Sequence, residues 1–568
     1  MDKKQRLLDH LTALYGETAG QDSFTKLCQM MERYRGRIPA PKRSGISQRD
    51  AILITYGDQI RADGEPSLQT LANFCQRHLK GIVNGVHILP FYPYSSDDGF
   101  SVIDYTAVDP ALGQWSDIDL LRQDFSLMFD AVINHISAQS AWFTGFLAGD
   151  PRYADYFHCV PDGADLSKVV RPRTLPLLTP FEVNGQVRQI WTTFSADQID
   201  LNYQNPAVLL DILDILLLYA AKGAEWIRLD AIAYLWKEPG TTCIHLPQTH
   251  RVIQLIRGML DLVAPHVALI TETNVPHKDN LSYFGDGYNE AQMVYNFALP
   301  PLVLHTFRTE DASRLTHWAS DLALPSQRAT FFNFLASHDG IGLNPARGIL
   351  DDDEIDALVE CTLAHGGYVS YKNNPDGTTS PYEMNINYFD ALSDPNSRES
   401  LQLQADRFLA SQAIMLSMIG VPGIYFHSLF GSRGWREGVQ MTRQNRTINR
   451  QKCAYLQVET ELADPTSLRS LVFRRYARLL SARASHPAFD PFGQMQVLDM
   501  GEHVFAVRRL ASEDQAVLCF QNVSSRRQGI NLPAFGAKRA GWKDLVSGQP
   551  VDMAQPFILE PYQTLWLA

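Results

Sequence analysis

The sequence is poor in cysteine, and its cysteines do not form paired motifs. Seven cysteines are spread over 568 residues, and none forms a C-x-x-C motif with another. This scatter argues against a disulfide framework or a zinc site and is typical of proteins from a reducing compartment. The sequence also lacks internal repeats of solenoid period and low-complexity tracts, so a repeat protein is not indicated.

Positive charge and long apolar runs are scarce as well. The 50 Lys and Arg residues are outnumbered by 62 Asp and Glu residues, and the formal net charge of −12 argues against a nucleic acid or a membrane as partner. One uncharged stretch of nearly membrane-spanning length, residues 408–426, contains Gln412 and a Gly-Val-Pro-Gly break, so it predicts a buried helix followed by a buried strand. The first residues lack the apolar core of a signal peptide, and we expect a cytoplasmic protein.

What the sequence does contain is a series of short apolar runs, each followed by a helical pattern. Apolar residues make up 45% of the chain and charged residues 20%, as in a globular protein with a large core. Apolar strands alternating with helices are typical of parallel strands buried on both faces, and eight of them predict an α/β fold with a closed (β/α)₈ TIM barrel. The eight runs begin at residues 51, 86, 127, 226, 268, 293, 330 and 421.

The rest of the chain is predicted to surround this barrel. Two segments are too long for simple loops and are interpreted as insertions over the C-terminal face of the barrel, and the last segment alternates short strands with turns. The predicted parts are an N-terminal helical arm (1–48), the barrel (49–135 and 201–476), an insertion after the third strand (136–200), an acceptor-loop insertion after the seventh strand (340–400) and a small antiparallel β domain (477–568).

Carboxylates follow three of the predicted strands, at the edge where a TIM barrel holds its active site. Asp230 ends the fourth strand, Glu272 the fifth and Asp339 the seventh. Taken singly, each could be a helix cap or a salt-bridge partner. Retaining glycosidases need two carboxyl groups about 5 Å apart, and neighbouring strand ends supply that distance. Arg228 points to the same side of its strand as Asp230 and is predicted to keep that carboxylate ionised and oriented.

Four short runs, in this order, carry a resemblance to a known family: DAVINH (130–135), RLDA (228–231), TETN (271–274) and ASHDG (336–340). They resemble the four signature regions of the α-amylase superfamily of retaining glycosidases and transglycosylases. The resemblance implies that Asp230 is the nucleophile, Glu272 the acid/base and Asp339 the residue that stabilises the transition state. It also implies that His135 and His338 contact the bound glucose.

The same resemblance raises the question of a metal. In calcium-binding amylases the asparagine that matches Asn134 often ligates the ion, but residues 136–200 contain no further cluster of acidic ligands. We therefore expect no metal and no cofactor.

Longer runs resemble the sucrose phosphorylase group of this superfamily, which moves glucose between phosphate and a small acceptor. These runs are residues 86–109, 171–173, 190–202 and 445–450. The resemblance implies that Asp97 and Arg446 close over the glucose 4-hydroxyl, that Phe100 and Phe194 are aromatic walls, and that Gln198 is a polar contact. A carboxylate and a guanidinium at that hydroxyl would reject a longer sugar chain.

Phosphate needs a cationic partner beside the cleft. By the resemblance, Arg173 and Tyr382 match the phosphate-contacting positions of the group. One position departs from the group's pattern, because Asn274 stands where a histidine is frequent, two residues after the acid/base.

The acceptor is predicted from the run 371–385, which matches the group's mobile acceptor loop. Glu383 stands where sucrose-specific members have glutamine, and the arm and this run resemble the branch that acts on glucosylglycerate or glucosylglycerol. Glycerate beside Glu383 would need a compensating cation, which Thr379 does not offer. Glycerol is therefore the predicted acceptor. Lys372, Arg433 and Arg436 are the cations that could reverse this choice.

The predicted enzyme is a retaining phosphorylase that converts 2-O-α-glucosylglycerol and phosphate into α-glucose 1-phosphate and glycerol. The alternatives are a glucosylglycerate phosphorylase, a sucrose or sucrose 6'-phosphate phosphorylase, an α-glucosidase or transglucosidase, and a catalytically silent sugar-binding scaffold. Its predicted partners are a small glucoside and inorganic phosphate, with no nucleic acid and no membrane, and the chain is expected to be a monomer or a homodimer.

Overall fold

The computed structural model of the chain describes residues 2–42, 45–374, 377–512, 515–535 and 541–568. Its centre is a closed barrel of eight parallel strands, which we number β1 to β8. The strands are β1 (Ile52–Thr55), β2 (Gly85–Ile88), β3 (Ser126–Ala131), β4 (Ala224–Leu229), β5 (Ala268–Thr271), β6 (Met293–Tyr295), β7 (Thr330–Asn333) and β8 (Val421–Tyr425).

These strands pair in sequence order, and β1 closes the barrel by pairing with β8. Every residue of the eight strands is buried, which is why the runs are apolar without alternation. The predicted TIM barrel and its eight strands are confirmed. Residues 408–426 form the end of a helix followed by β8, as predicted, and within the described ranges no helix is long and apolar enough to cross a membrane.

Helices cover the outside of the barrel and its insertions. In chain order they are α1 (Lys3–Tyr15), α2 (Glu17–Tyr34), α3 (Ser67–His78), α4 (Trp115–Asp124), α5 (Ala141–Leu147), α6 (Pro206–Ala221), α7 (Pro247–Val263), α8 (His277–Leu281), α9 (Leu299–Thr309), α10 (Ser313–Ser320), α11 (Asp352–Ala364), α12 (Tyr388–Leu392), α13 (Leu401–Ser417), α14 (Phe426–Leu429), α15 (Arg436–Thr442), α16 (Tyr455–Ala463) and α17 (Leu468–Ser485).

The N-terminal arm consists of α1 and α2, which pack on each other and on the outer helices α6 and α7 of the barrel. Leu7 and Leu11 of α1 are fully buried. The approach to α7 is close at Gly258, where a Cβ atom would lie 2.9 Å from Leu7 Cδ2. The Tyr15 hydroxyl donates to the Tyr203 carbonyl at 2.9 Å. The arm is therefore part of the packed molecule; residues 43 and 44 of its predicted range lie outside the described part.

Both predicted insertions contain small sheets near the C-terminal face of the barrel. In the first, Leu178–Val183, Gln186–Trp191 and Cys159–Val160 form one sheet, and Gln198–Asp200 pairs with His135–Ser137. In the second, Ile341–Gly342 and Tyr368–Asn373 flank Thr379–Asn385. Residues 375 and 376 of the predicted acceptor loop lie outside the described residues. Elsewhere, a short strand pair joins Ile60–Arg61 to Cys453–Ala454.

The C-terminal part is antiparallel. A four-stranded sheet and a two-stranded sheet follow α17, and the predicted boundary at residue 477 falls inside that helix. The strands of this part are Gln494–Leu498, Val504–Ser512, Gln515–Asn522, Thr564–Leu567, Gln528–Ile530 and Phe557–Leu559. Residues 513, 514 and 536–540 of the predicted domain lie outside the described part.

Two buried arginines join this part to the barrel. Arg509 donates to the carbonyl oxygens of Ser417 and Met418, at the end of α13, at 3.0 and 2.6 Å. Arg483 donates to the carbonyl oxygen of Gly420, just before β8, at 2.9 Å. Burial lowers the pKa of Arg483 to about 9 and that of Arg509 to about 10. Both guanidinium groups thus connect elements through backbone oxygens.

Candidate active site

A small cavity of about 70 Å³ opens at the carboxyl ends of the barrel strands, and thirteen of the fourteen predicted site residues line it. The fourteenth, Arg228, lies buried beneath them on β4. The predicted residues on the cavity wall are Asp97, Phe100, His135, Arg173, Phe194, Gln198, Asp230, Glu272, His338, Asp339, Tyr382, Glu383 and Arg446. The wall also contains residues that the sequence analysis did not single out as ligands, including Tyr234, Thr273 and Phe297.

Asp230 directly follows β4 and is held from below by Arg228. Arg228 Nη1 lies 2.7 Å from Asp230 Oδ1 and also bonds Asp130 on β3. Burial raises the pKa of Asp230, and the Arg228 guanidinium opposes that rise. The predicted contact is thus present, and the positive charge of Arg228 favours the ionised form of Asp230.

Glu272 directly follows β5 and faces the same cavity. Its Oε2 accepts a hydrogen bond from the Ala231 backbone N–H at 3.0 Å and lies 3.9 Å from Arg228 Nη2. Burial raises the pKa of Glu272 to about 7, and the neighbouring Asp230 and Asp339 add to that rise. At neutral pH, about half of this group is therefore protonated.

The two carboxyl groups therefore lie in one cavity around one guanidinium, in different electrostatic settings. Asp230 has a direct ion pair with Arg228, whereas Glu272 is only loosely paired. When two neighbouring carboxyl groups lie in different electrostatic environments, one can act as a nucleophile while the other donates a proton.

Asp339 follows β7 and lies beside two arginines and a histidine. Arg446 Nη1 forms an ion pair with Asp339 Oδ1, and Arg450 Nη2 and His338 Nε2 lie 3.4 and 3.5 Å from the same oxygen. Burial acts to raise the pKa of Asp339, but these neighbours together hold it well below its usual value. Asp339 is thus a carboxylate at any physiological pH.

The closed end of the cavity contains an arginine that the sequence analysis missed. Arg450 is buried, and its Nη1 lies 3.1 Å from Asp97 Oδ1 and 2.8 Å from Asp98 Oδ2. Arg450 rather than Arg446 is therefore the direct partner of Asp97, and Asp97 and Asp98 have φ angles of 53° and 50°. The residue belongs to the run 445–450 that carries the resemblance at Arg446, so the sequence indicates the segment but not the contact of Arg450 with Asp97.

Aromatic and polar side chains form the walls. The Phe100 ring stacks on the His338 ring with centroids 4.6 Å apart, and the Phe194 ring lies 5.3 Å from the His135 ring. Gln198 Nε2 donates to the Phe100 carbonyl at 3.0 Å. This bond fixes the amide of the first insertion against the loop that carries Phe100.

Glu383 differs from its expected setting. It is 1% exposed, and its two oxygens form a bidentate pair with Arg446 at 2.9 and 2.6 Å. The sequence analysis treated Glu383 as an unpaired charge beside the acceptor. That expectation is wrong because Arg446, which is 63 residues further along the chain, folds back onto the strand Thr379–Asn385.

The cationic side chain that remains on the cavity wall is Arg173. Arg446 is paired with Asp339 and Glu383, whereas Arg173 forms no ion pair with any residue that the structure describes. Burial raises the pKa values of Tyr234 and Tyr382, and the nearby Arg173 opposes both rises. Arg173, Tyr234 and Tyr382 thus form a polar group beside Glu272.

Asn274 also lies on this wall. Its Oδ1 is buried without a hydrogen-bond partner among the described residues, and a Cβ atom at Gly342 would come within 2.6 Å of it. The Asn274 amide is therefore held close to the second insertion and keeps an acceptor free for a ligand hydroxyl.

The other cations considered for the acceptor lie elsewhere. Arg433 pairs with Asp390 at 2.8 Å, Arg436 donates to the His365 carbonyl at 2.7 Å, and neither lines the cavity. Lys372 lies on the strand Tyr368–Asn373 and is also not part of the wall. These three residues are thus not brought to the site.

Asn134 contacts a lysine. The Lys237 ammonium, which is 1% exposed, donates to Asn134 Oδ1 at 2.7 Å and lies 2.6 Å from Asp200 Oδ2. Within the described ranges, no group of three or more His, Cys, Asp or Glu side chains is arranged to hold a metal ion. A positive charge of the protein itself therefore neutralises Asp200 at the base of the first insertion.

The chain is similar to known proteins over most of its length. The family model "Alpha amylase, catalytic domain" matches residues 77–339. A glucosylglycerate phosphorylase of Allomeiothermus silvanus is 51% identical over 565 residues, which cover 99% of this chain and 98% of that protein. A glucosylglycerol phosphorylase of Marinobacter adhaerens is 29% identical over 452 residues, 77% of this chain and 88% of that protein.

The crystal structure of a sucrose 6F-phosphate phosphorylase from Thermoanaerobacter thermosaccharolyticum has the same architecture. It matches with a TM-score of 0.73 and 25% sequence identity over 85% of this chain and 96% of that chain. The similarity therefore extends over the barrel and most of the surrounding elements.

Proposed function

This chain belongs to the alpha-amylase family, in the group of the sucrose phosphorylases, and on that premise we propose that it is a glucosylglycerate phosphorylase. It is a glycoside phosphorylase, so its substrates are a glucoside and phosphate. The proposed reaction converts 2-O-α-glucosylglycerate and phosphate into α-glucose 1-phosphate and glycerate. The observation that carries this choice of acceptor is the 51% identity, over 99% of the chain, to a glucosylglycerate phosphorylase.

Glycerate replaces glycerol, the acceptor predicted from the sequence. The glucosylglycerol phosphorylase is only 29% identical and matches 77% of the chain. Glycerol is predicted on the expectation that an unpaired Glu383 would repel the glycerate carboxylate. Because Arg446 pairs with both oxygens of Glu383, that repulsion is largely cancelled.

In the proposed first half-reaction, Asp230 attacks the anomeric carbon of the glucoside. Glu272 gives its proton to the departing 2-oxygen of glycerate as the C1–O bond breaks, and an ester forms between C1 and Asp230. The ion pair with Arg228 supports an ionised Asp230, and the raised pKa supports a protonated Glu272.

In the second half-reaction, a phosphate oxygen attacks C1 and releases the Asp230 carboxylate. Glu272, now ionised, takes the proton of the phosphate hydroxyl, and two inversions leave the α configuration unchanged. The ionised Asp339, Asp97 and Arg446 line the cavity, and we propose that they surround a single glucose unit.

Arg173 is proposed to bind the anionic part of each acceptor. Glycerate and phosphate are both anions, and they occupy the space beside Glu272 in turn. Arg173 is the cavity-lining cation without an ion pair among the described residues, and guanidinium groups bind both carboxylate and phosphate. Tyr234 and Tyr382 lie beside it and supply further donors.

The acceptor is tested by measuring phosphate release from glucose 1-phosphate with glycerate, glycerol and fructose in separate reactions. We expect glycerate to give the highest kcat/KM. A higher value with glycerol or fructose contradicts the proposal while leaving the phosphorylase chemistry intact. Release of glucose from the glucoside at the same rate without phosphate would instead indicate a hydrolase.

The covalent step is tested with Asp230→Ala. We expect turnover to fall by about 10⁴-fold or more, because the nucleophile is lost, while the melting temperature stays close to that of the wild type. Retention of more than a tenth of the activity would contradict the assigned role, as would β-glucose 1-phosphate as the first-formed product.

A further inference from the structure

A second and larger cavity lies at the opposite end of the barrel from the active site. Its volume is about 1140 Å³, against about 70 Å³ for the cavity at the catalytic carboxylates. Its floor includes Glu225 and Trp226 at the start of β4 and Ala268 at the start of β5. Its walls come from α1 of the arm and from α7. The two cavities thus lie at opposite ends of the same strands.

The carboxylates of this second cavity already have partners. Asp261 pairs with Arg257 at 2.9 Å, and Asp286 accepts the backbone N–H groups of Tyr288 and Asn289 at 2.8 and 2.9 Å. Asp9 accepts from Gln5 Nε2 at 2.9 Å. Each of these three carboxylates therefore already accepts a hydrogen bond or forms an ion pair within the protein.

Three of the arginines on its wall lack such partners. Arg6 on α1, Arg251 on α7 and Arg328 before β7 form no side-chain hydrogen bond or ion pair with any described residue. Arg6 and Arg328 are exposed and Arg251 is half-buried, so a ligand can reach all three. In a chain with a formal net charge of −12, three unneutralised guanidinium groups around one cavity attract an anion.

His10 shows that two of these arginines lie close together. It is one helical turn after Arg6, and its Nδ1 is buried without a hydrogen-bond partner among the described residues. Burial lowers the pKa of His10, the charges of Arg251 and Arg6 lower it further, and the neighbouring Asp9 carboxylate opposes them. Arg6, His10 and Arg251 thus form a compact donor group where the arm meets the barrel.

We propose that this cavity binds a phosphate ester of a polyhydroxylated ring, with the phosphate on Arg6 and Arg251. Guanidinium groups bind phosphate through paired N–H donors, and a phosphate brings the two arginines the counter-charge that they lack. Tyr288, which is 55% exposed, gives the same wall an aromatic face for a ring. A cavity of about 1140 Å³ holds a sugar phosphate or a nucleotide.

The site is tested by calorimetric titration of the full-length enzyme with glucose 6-phosphate, with AMP and with sulfate, the last as a probe for a bare anion. We expect glucose 6-phosphate or AMP to bind, and whichever binds identifies the ring. In the double variant Arg6→Gln, Arg251→Gln, the dissociation constant of the ester that binds should rise at least tenfold. Arg474→Gln, Arg478→Gln, a pair of exposed arginines on α17, serves as the matched control and should leave it unchanged.

Because glucose phosphates also fit the catalytic cavity, Arg173→Gln is titrated in parallel. Binding that weakens with Arg173→Gln but not with the Arg6, Arg251 pair overturns the proposal, and so does the absence of binding of both esters at 10 mM. Sulfate binding as tightly as the esters overturns the ring part of the proposal. Unchanged turnover of the Arg6, Arg251 variant shows that it is folded, so a negative result counts.

Discussion

At the scale of single residues, the carboxyl groups at the base of the site share one guanidinium group. Arg228 forms ion pairs with Asp130 and Asp230 and lies further from Glu272. Glu272 receives the smallest share and retains a pKa of about 7. The proton needed by a leaving group is therefore stored on the carboxyl group that is least stabilised as an anion.

This pKa predicts how the first half-reaction depends on pH. Glu272 must be protonated to release glycerate, so kcat/KM for the glucoside should fall about tenfold per unit above about pH 7. Below that pH it should be constant until Asp230, which must be ionised to attack, takes up a proton. In a two-step mechanism this ratio does not include the titration of phosphate. In Glu272→Gln the value should be about 10² to 10⁴ times lower and lose this dependence. An unchanged pH profile in Glu272→Gln would contradict the assignment.

The role proposed for Arg173 predicts that its loss lowers activity with glycerate more than activity with glycerol. In Arg173→Gln, kcat/KM for glycerate should fall by about 10- to 100-fold more than kcat/KM for glycerol, with glucose 1-phosphate as donor, because only glycerate loses a charged partner. Arg436→Gln is the matched control, since its guanidinium bonds the His365 carbonyl outside the cavity. An equal loss for both acceptors would contradict the proposed contact between Arg173 and the glycerate carboxylate.

At the scale of helices and strands, the catalytic residues follow barrel strands, whereas the residues around them come from inserted elements. Asp230, Glu272 and Asp339 follow β4, β5 and β7, while Glu383 lies on the strand Thr379–Asn385. The strand ends fix the chemistry, and the insertions set what reaches it.

The carbonyl end of α13 gives a stability prediction at this scale. Arg509→Met leaves the Ser417 and Met418 carbonyl oxygens without their donor, and we expect a loss of about 2–4 kcal/mol in unfolding free energy. Chemical denaturation of both proteins measures it. The neighbouring Arg508→Met is the control, because Arg508 is half-buried and points to the other face of the strand. Equal midpoints for the two variants would contradict this expectation.

Elements of the barrel could be predicted because burial on both faces leaves a direct trace in the sequence. Each of β1 to β8 is buried and mostly apolar, although β3 and β4 contain Asp130 and Arg228, and the catalytic carboxylates follow these runs. The pairing of Glu383 with Arg446 leaves no such trace, because it depends on how two segments 63 residues apart meet. The same holds for Arg450 and for Tyr234, whose places are set by tertiary packing.

At the scale of the whole molecule, the arm is held by apolar contacts on the outside of the barrel. Leu7 and Leu11 of α1 are fully buried, and Leu7 packs against α7 at Gly258. Leu7→Ala should cost about 2–5 kcal/mol and lower the melting temperature by a few degrees. Turnover at 25 °C should stay within about twofold of the wild type, because the active site is at the far end of the strands. A large loss of turnover without a change in melting temperature would contradict this division.

The links made by Arg483 and Arg509 differ in one respect from those in the catalytic cavity. Glu272 takes up a proton as the pH falls through its pKa of about 7, so the charge balance of the catalytic cavity changes with pH. Backbone oxygens have no proton to take up in that range. Mild acidification therefore changes the protonation of the catalytic cavity, while the C-terminal sheet stays joined to the barrel.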